Sequence, residues 1–273
     1  MNITEKETKQ LLTPASGFLK GYTFSLNPYI GCSFGCSYCY VRKMPVNLFR
    51  KEEWGSWVDI KRNAQERYLH EMKKARKKHD SISIFMSSST DPYQPIENEA
   101  QITRSLLEAM VEEQPDFLFI QTRSPLIERD KELIKKLSNK VLVSMTIETD
   151  LEHIRKIFSP NAPPISARLR VLKSLVDQGI AAQVAIAPML PSSDQFALKL
   201  ASIVDRVTID DYFMGDGSSG KRTKSMGIEK LYKEHNLEEW YHPDAYKILV
   251  DQFLQHFSRE QVFISQEGFL PSL

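Results

Sequence analysis

The sequence predicts an α/β protein whose parallel strands curl into a partial, open (β/α)6 barrel, TIM-like in its winding, with a helix and a strand added after it. Two observations carry this. Short apolar runs alternate with amphipathic segments along most of the 273 residues, and such alternation implies parallel pairing through βαβ crossovers. Six such units fall short of the eight that close a full barrel, so the sheet should stay open.

The first strand is expected at residues 22–27 (YTFSLN), leading into a loop that holds every cysteine of the chain. A helix should follow over 58–78, where Ile60, Ala64, Tyr68, Met72 and Ala75 recur at helical spacing. Residues 81–87 (SISIFMS) read as strand and 102–113 as helix, then 117–122 (FLFIQT) as strand and 130–138 as helix. Strand 141–147 (VLVSMTI) precedes helix 165–178, strand 181–187 precedes helix 195–202, and a sixth strand occupies 206–211. The tail adds a helix over 244–257 and a strand at 261–264. Pro243 suits the first turn of that helix, where its missing N–H costs nothing. No repeat or linker divides the chain. Residues 1–215 are therefore expected to form the barrel, with the cysteine loop at 28–42, and 216–273 an extension packed on the same domain.

Composition narrows the class. Hydrophobic residues at 41% and charged residues at 26% are those of a soluble globular protein. No run reaches the roughly 18 apolar residues of a membrane span. The opening MNITEKETKQLL is polar and unlike a signal peptide, so a reducing cytoplasm is the expected location. A net charge of +1 decides nothing about nucleic acid. Residues 42–78, however, carry twelve Lys and Arg against five acids, with Trp54 and Trp57 among them. A basic stretch with aromatics can contact a phosphate backbone. The helical spacing within it favours the plainer reading, the solvated face of a helix.

The chemistry concentrates at the cysteines. Cys32, Cys36 and Cys39 are the only three, spaced Cys-x3-Cys-x2-Cys in NPYIGCSFGCSYCY. A disulfide would leave one thiol over and belongs to an oxidising compartment. A structural zinc ion wants four donors, and His70 and His79 lie thirty or more residues on, in an expected helix. Three thiolates can instead hold three irons of a cubane cluster, which ordinarily takes four cysteines. The fourth iron is then open to a small molecule. Zinc stays as the alternative. Gly31 and Gly35 bracket the first two cysteines and allow the loop to curl tightly.

In parallel barrels, functional groups gather where strands end. After the second strand stand Ser87, Ser88, Ser89, Thr90 and Asp91, and after the third Thr122, Arg123 and Ser124. Glu148 and Thr149 follow the fourth, Pro188 the fifth, and Asp210, Asp211 and Tyr212 the sixth. Polar clusters on several strands are what a cofactor lying across the mouth would require.

The segments NPYIGCSFGCSYCYVR, SSSTDPYQPIE, TRSPLIERD, SPNAPPISARL and APMLP occur in order and span about residues 22–215. On them the chain resembles the radical S-adenosylmethionine (SAM) superfamily, and within it the spore photoproduct lyase-related proteins. The resemblance implies that Cys32, Cys36 and Cys39 ligate a [4Fe-4S] cluster whose open iron chelates SAM. It further implies that Tyr38 lies by the SAM adenine, that Ser88, Ser89, Thr90 and Asp91 hold its amino group, and that Arg123 pairs with its carboxylate. Glu148 would accept from the ribose hydroxyls, and Arg168 is a weaker candidate in the same site. Structural alternatives stand beside these: a turn at Asp91-Pro92, a pairing of Arg123 with Glu128 or Asp130, and a helix-start acid at Glu148.

The implied activity is reductive cleavage of SAM and hydrogen abstraction from a substrate, possible classes being a nucleic acid on one side and a peptide or small metabolite on the other. A SAM-binding redox sensor without turnover is the non-enzymatic alternative. An electron donor such as flavodoxin or ferredoxin is implied as partner. Spore photoproduct lyase carries a further cysteine that donates hydrogen to the product radical, and this chain has none. Tyr93, Tyr212 and Tyr241 are alternative donors. Residues 215–223 (GDGSSGKRT) read as a flexible loop, with a lid or phosphate contact as the other reading.

Overall fold

The computed structural model describes residues 1–137 and 140–271. Its strands are β1 (Asn2–Lys6), β2 (Leu12–Pro14), β3 (Phe24–Leu26), β4 (Tyr29–Ile30), β5 (Trp57–Lys61), β6 (Ser83–Met86), β7 (Phe117–Thr122), β8 (Val141–Thr146), β9 (Ala182–Ile186), β10 (Val207–Ile209) and β11 (Val262–Ile264). Its helices are α1 (Pro45–Leu48), α2 (Ala64–Ala75), α3 (Glu97–Ala100), α4 (Ile102–Glu112), α5 (Lys131–Leu137), α6 (Glu152–Phe158), α7 (Ile165–Asp177), α8 (Phe196–Ala201), α9 (Tyr212–Gly215), α10 (Lys221–Ser225), α11 (Ile228–Glu234) and α12 (Ala245–Phe253).

The main sheet runs β2-β3-β6-β7-β8-β9-β10-β11. From β3 to β11 each strand pairs parallel with the next, and only β2 lies antiparallel. All six expected barrel strands are present in sequence order, and the barrel is not closed. The short C-terminal strand extends the same sheet beside β10.

Alternation along the strands builds two cores. Ile84, Met86, Leu118, Ile120, Val141, Val143, Met145, Val184 and Ile186 face the helices and pack in one cluster with Tyr68, Met72, Leu106 and Leu172. The intervening positions face inward. Phe85, Phe117, Phe119, Leu142 and Ala185 fill the lumen with Tyr22 and Phe269. Phe85 stacks on Phe119 at 4.8 Å. Gln183 donates to the Gly268 carbonyl at 3.1 Å, so the C-terminal segment plugs the lower end.

Several expectations need correction. The helix placed at 58–78 starts only at Ala64. Residues Trp57–Lys61 form β5, flanked by parallel β1 and antiparallel β4 in a separate three-stranded sheet. Trp57 and Val58 favour a strand, and buried Asp59 takes Lys6 Nζ at 2.6 Å and Arg50 at 2.9 and 3.1 Å. The rest of the helical stripe holds: Ala64, Tyr68, Met72 and Ala75 are buried. Helix 130–138 is found as α5, and its last residue, Ser138, lies outside the described residues.

Part of the basic segment 42–78 is committed within the fold. Arg50, Arg62, Arg67 and Arg76 pair with Asp59, Glu5, Glu71 and Asp116. Lys61 donates to the Asn27 carbonyl, and burial pulls its amine down to about 8. Nor is 215–223 a plain flexible loop. Asp216 accepts from Ser218 N and Oγ, Gly220 N, and Thr223 N and Oγ1, tying the turn to the start of α10. Among the described residues, no helix is long and apolar enough to cross a membrane.

Candidate functional site

The cysteine loop leaves β4 and curls through backbone bonds from Gly35 N to Cys32 O and from Cys39 N to Cys36 O, both 3.2 Å. Two glycines make the path feasible. Gly31 has φ 84°, and a Cβ there would sit 2.6 Å from the Trp57 carbonyl oxygen. Gly35 has φ 55°, and its Cβ would press Gly55 Cα at 3.1 Å. Both conformations lie in the left-handed region that side chains disfavour.

Neighbouring strand ends anchor the loop. Gln94 Oε1 accepts from Ser33 N at 2.9 Å, and its Nε2 donates to the Gly31 carbonyl at 3.2 Å. Thr90 Oγ1 donates to that carbonyl at 2.5 Å. Ser37 reaches the Phe158 carbonyl at the end of α6 through its N–H at 3.0 Å and its hydroxyl at 2.8 Å. Gln94 is a positioning residue that sequence reasoning missed, because its partners lie 61 and 63 residues away.

All three cysteines are free. Cys32 and Cys36 are buried and Cys39 is more open. Burial raises each thiol, that of Cys39 to about 12, while Arg123 opposes the rise at Cys36. Among the described residues no three His, Cys, Asp or Glu side chains converge on one metal ion. A tetrahedral zinc site would need that convergence, whereas a cubane spreads its thiolates over different irons. The donor set suits the cluster: three thiols on one curled loop, unpaired with each other, with a cation against one of them.

That cation is Arg123, at the end of β7. Its Nη1 lies 3.0 Å from Cys36 Sγ, 2.8 Å from the Tyr38 hydroxyl and 2.6 Å from Glu148 Oε1. Neither Glu128 nor Asp130 takes it; Glu128 accepts from Ser174, and Asp130 pairs with Arg104 and Arg129. Glu148 Oε1 also accepts from Tyr38 at 2.5 Å, and its Oε2 from Arg168 at 2.7 Å. Burial alone would raise the Glu148 carboxyl, yet Arg123 and Arg168 hold it down at about 2. One carboxylate between two guanidiniums leaves a net positive charge beside Cys36, the sign that favours thiolate ligands.

The sequence-predicted residues thus fall into two groups. Tyr38, Arg123 and Glu148 join Cys36 in one buried network, with Arg168 as its far anchor. Tyr38 is itself buried, with its hydroxyl on Glu148. Both oxygens of Glu148 are engaged inside the protein, which leaves little for a ribose. Asp91 is likewise turned inward: it accepts from Tyr93 N, Thr122 Oγ1 and Arg123 N at 2.9, 2.7 and 2.9 Å. It fixes the strand end that carries Arg123. Ser88, Ser89 and Thr90 stay half-buried at the rim, with Asn27 bonded to Ser88 Oγ and Ser89 N.

An open parallel barrel carrying a three-cysteine loop defines a class of radical enzymes, and the family comparison agrees. The radical SAM superfamily's family model matches residues 26–195, and the chain belongs to that superfamily. It is a radical SAM enzyme, of a class that uses a [4Fe-4S] cluster and SAM. An uncharacterised protein of Methanocaldococcus jannaschii is 32% identical over 269 residues, 97% of this chain and 96% of its own. An uncharacterised protein of Acidianus two-tailed virus is 32% identical over 62% of this chain and 56% of its own. Among solved structures, spore photoproduct lyase complexed with dinucleoside spore photoproduct aligns with TM-score 0.64 at 14% identity, over 96% of this chain and 81% of its own. At that identity the likeness speaks to the fold.

Proposed function

We propose that this radical SAM enzyme acts on a nucleic acid or nucleotide-like substrate held at the barrel mouth, with Cys32, Cys36 and Cys39 as its cluster ligands. The observation that carries the reading of the site is the contact of Arg123 with Cys36 at 3.0 Å, which joins the cysteine loop to the strand ends. The substrate class draws support from the similar fold of spore photoproduct lyase, whose structure holds a dinucleoside spore photoproduct. A bound cluster and SAM would supply the radical chemistry that takes a hydrogen atom from the substrate.

The chain's own residues supply geometry and exclusion of water. Gln94, Thr90 and the two loop glycines set the cysteine loop over the lumen. Arg123 places a fixed positive charge beside Cys36, and Glu148 and Arg168 hold Arg123 in place. Ser88 and Ser89, half-buried polar groups of the rim, are the proposed contacts for the SAM amino group, beside Thr90, whose hydroxyl is bound to the Gly31 carbonyl. Arg123 is the proposed partner of the SAM carboxylate; Tyr38, Asp91 and Glu148 support the site from behind. A small electron carrier such as flavodoxin or ferredoxin would approach the Cys39 edge, the most open part of the loop, within a reducing cytoplasm. Residues 1–215 would form the catalytic barrel and 216–273 its lower plug and outer cover.

Binding of a labelled single-stranded oligonucleotide to the cluster-loaded enzyme, measured across salt concentrations, tests the substrate class. Affinity should fall steeply as salt rises. Transfer of deuterium from a labelled nucleic acid into 5′-deoxyadenosine would complete the case. Absence of both would favour a peptide substrate, the class to which Streptococcus suis SuiB, solved with its precursor peptide and aligned at TM-score 0.50, points.

A further inference from the structure

Directly past the cysteine loop the chain leaves an apolar knob in solvent. Val46, Leu48 and Phe49 are 38%, 60% and 89% exposed, three large apolar side chains within four residues. Single apolar residues scattered over a surface need no reason, but a contiguous group marks an interaction site. Basic charge accompanies them. Over residues 42–53 four cations, Arg42, Lys43, Arg50 and Lys51, stand against Glu52 and Glu53. Arg50 takes Glu52 at 3.0 Å, while Lys43 and Lys51 are exposed. Helix α10 packs against the turn at Tyr40–Lys43 and adds exposed Lys221.

The knob is tied closely to the cysteines. Arg42 N donates to the Cys39 carbonyl at 3.1 Å and Met44 N to the Val41 carbonyl at 3.0 Å. Asn47 Nδ2 donates to the Arg42 carbonyl at 3.1 Å, which holds α1 against that turn. Val41 and Met44 pack in one apolar cluster with Cys32, Cys36 and Cys39. After α1, Arg50 lies over the Trp57 ring at 4.2 Å, and that ring backs the loop at Gly31, where a Cβ would approach it to 2.8 Å. Arg50 also binds Asp59 of β5, so the knob borders the small β1-β5-β4 sheet. A partner seated on α1 therefore stands against the cysteine loop on the side of that sheet.

We propose that Val46, Leu48 and Phe49, flanked by Lys43 and Lys51, form the docking surface for a small acidic one-electron carrier of the flavodoxin or ferredoxin kind. This rests on the cluster reading above and places the carrier on α1. One electron leaves the carrier's flavin or iron–sulfur centre and enters the cluster; no bond forms or breaks. Such a transfer needs close approach to the ligands, and Val46 stands seven residues past Cys39. An apolar centre with a charged rim is the anatomy of a protein–protein interface. A phosphate backbone is held by cations and has no use for Val46 and Leu48. Redox encounters bury less than about 1,200 Å², a size that three side chains and their rim can serve. Opposite charge on the carrier speeds its arrival.

The test uses the cluster-loaded enzyme under anaerobic conditions, with an acidic flavodoxin and an acidic ferredoxin as probes. Affinity is read by fluorescence anisotropy of the labelled carrier, and cluster reduction by stopped-flow absorbance with the carrier reduced beforehand. Leu48→Ser with Phe49→Ser should weaken binding of at least one carrier by about ten-fold or more and slow its electron transfer to match. Lys43→Glu with Lys51→Glu should weaken that binding too and flatten its salt dependence. Reduction of the serine pair by dithionite, a small molecule that needs no docking surface, should stay at the wild-type rate. Carrier binding unchanged by both pairs, or absent in the wild type, would overturn the docking surface and leave the cluster reading standing. Loss of oligonucleotide binding with carrier binding intact would overturn it too, by assigning the knob to nucleic acid. A wild type that dithionite cannot reduce would overturn the cluster reading as well.

Discussion

Replacing Glu148 by Gln removes the carboxylate shared by Arg123 and Arg168, and the cost can be worked in two ways. Arg168 is fully buried, and Glu148 is 1% exposed. Removing one partner of a buried pair leaves an uncompensated charge, at a cost of about 3–5 kcal/mol. Independently, the arginines hold Glu148 at about 2 against an ordinary value of 4.5. That difference corresponds to roughly 3 kcal/mol of favourable interaction with the ionised form. The two routes agree. The carboxyl is depressed in the folded state, so its contribution is fully present above about pH 4.5 and fades as pH falls towards about 2. Urea unfolding of cluster-loaded protein under anaerobic conditions should therefore find Glu148→Gln about 3 kcal/mol less stable at neutral pH. The gap to wild type should shrink in acid. A loss below about 1 kcal/mol, the usual worth of an exposed pair, would refute the reasoning. Adding Arg168→Met to Glu148→Gln should restore part of the loss, since it removes the stranded charge.

Other perturbations have equally definite outcomes. Gly31→Ala should lower iron content after reconstitution, because the new methyl would stand 2.6 Å from the Trp57 carbonyl oxygen and at φ 84°; a wild-type iron content would contradict the packing argument. Asp210→Asn should stabilise the protein at pH 8 by up to about 4 kcal/mol and leave it nearly unchanged below pH 4. The reason is that burial raises this carboxyl to about 7 from 3.8, a penalty that grows as pH rises between those values; thermal melts at both pH values check it. Gln94→Leu should loosen the cysteine loop by removing the bonds to Ser33 N and Gly31 O, read as slower cluster assembly followed by absorbance near the visible iron–sulfur band.

Legibility followed the range of the forces involved. Strands β7 and β8 were readable because burial on both faces gives mostly apolar runs, FLFIQT and VLVSMT. Strand β5 was hidden because Ile60 continues the spacing of Ala64 and Tyr68 into α2, and its partners β1 and β4 lie far off in sequence. The cysteines were legible from spacing, and Arg123 from its place after a strand. Arg168 was a weaker candidate from its segment, and Gln94 stayed hidden because its partners lie 61 and 63 residues away and its residue type advertises nothing local. The turn at 216–223 misled because glycine and serine suggest freedom, whereas Asp216 satisfies five donors there.

The central claim is that Cys32, Cys36 and Cys39 hold a cluster at which SAM is cleaved. The most direct measurement is 5′-deoxyadenosine, quantified by mass spectrometry after anaerobic reconstitution with dithionite and SAM, together with iron content, for wild type and Cys36→Ala. Wild type should give product and about four irons per chain, with neither sustained in Cys36→Ala. Equal product from the two proteins, or a full cluster retained without Cys36, would contradict it.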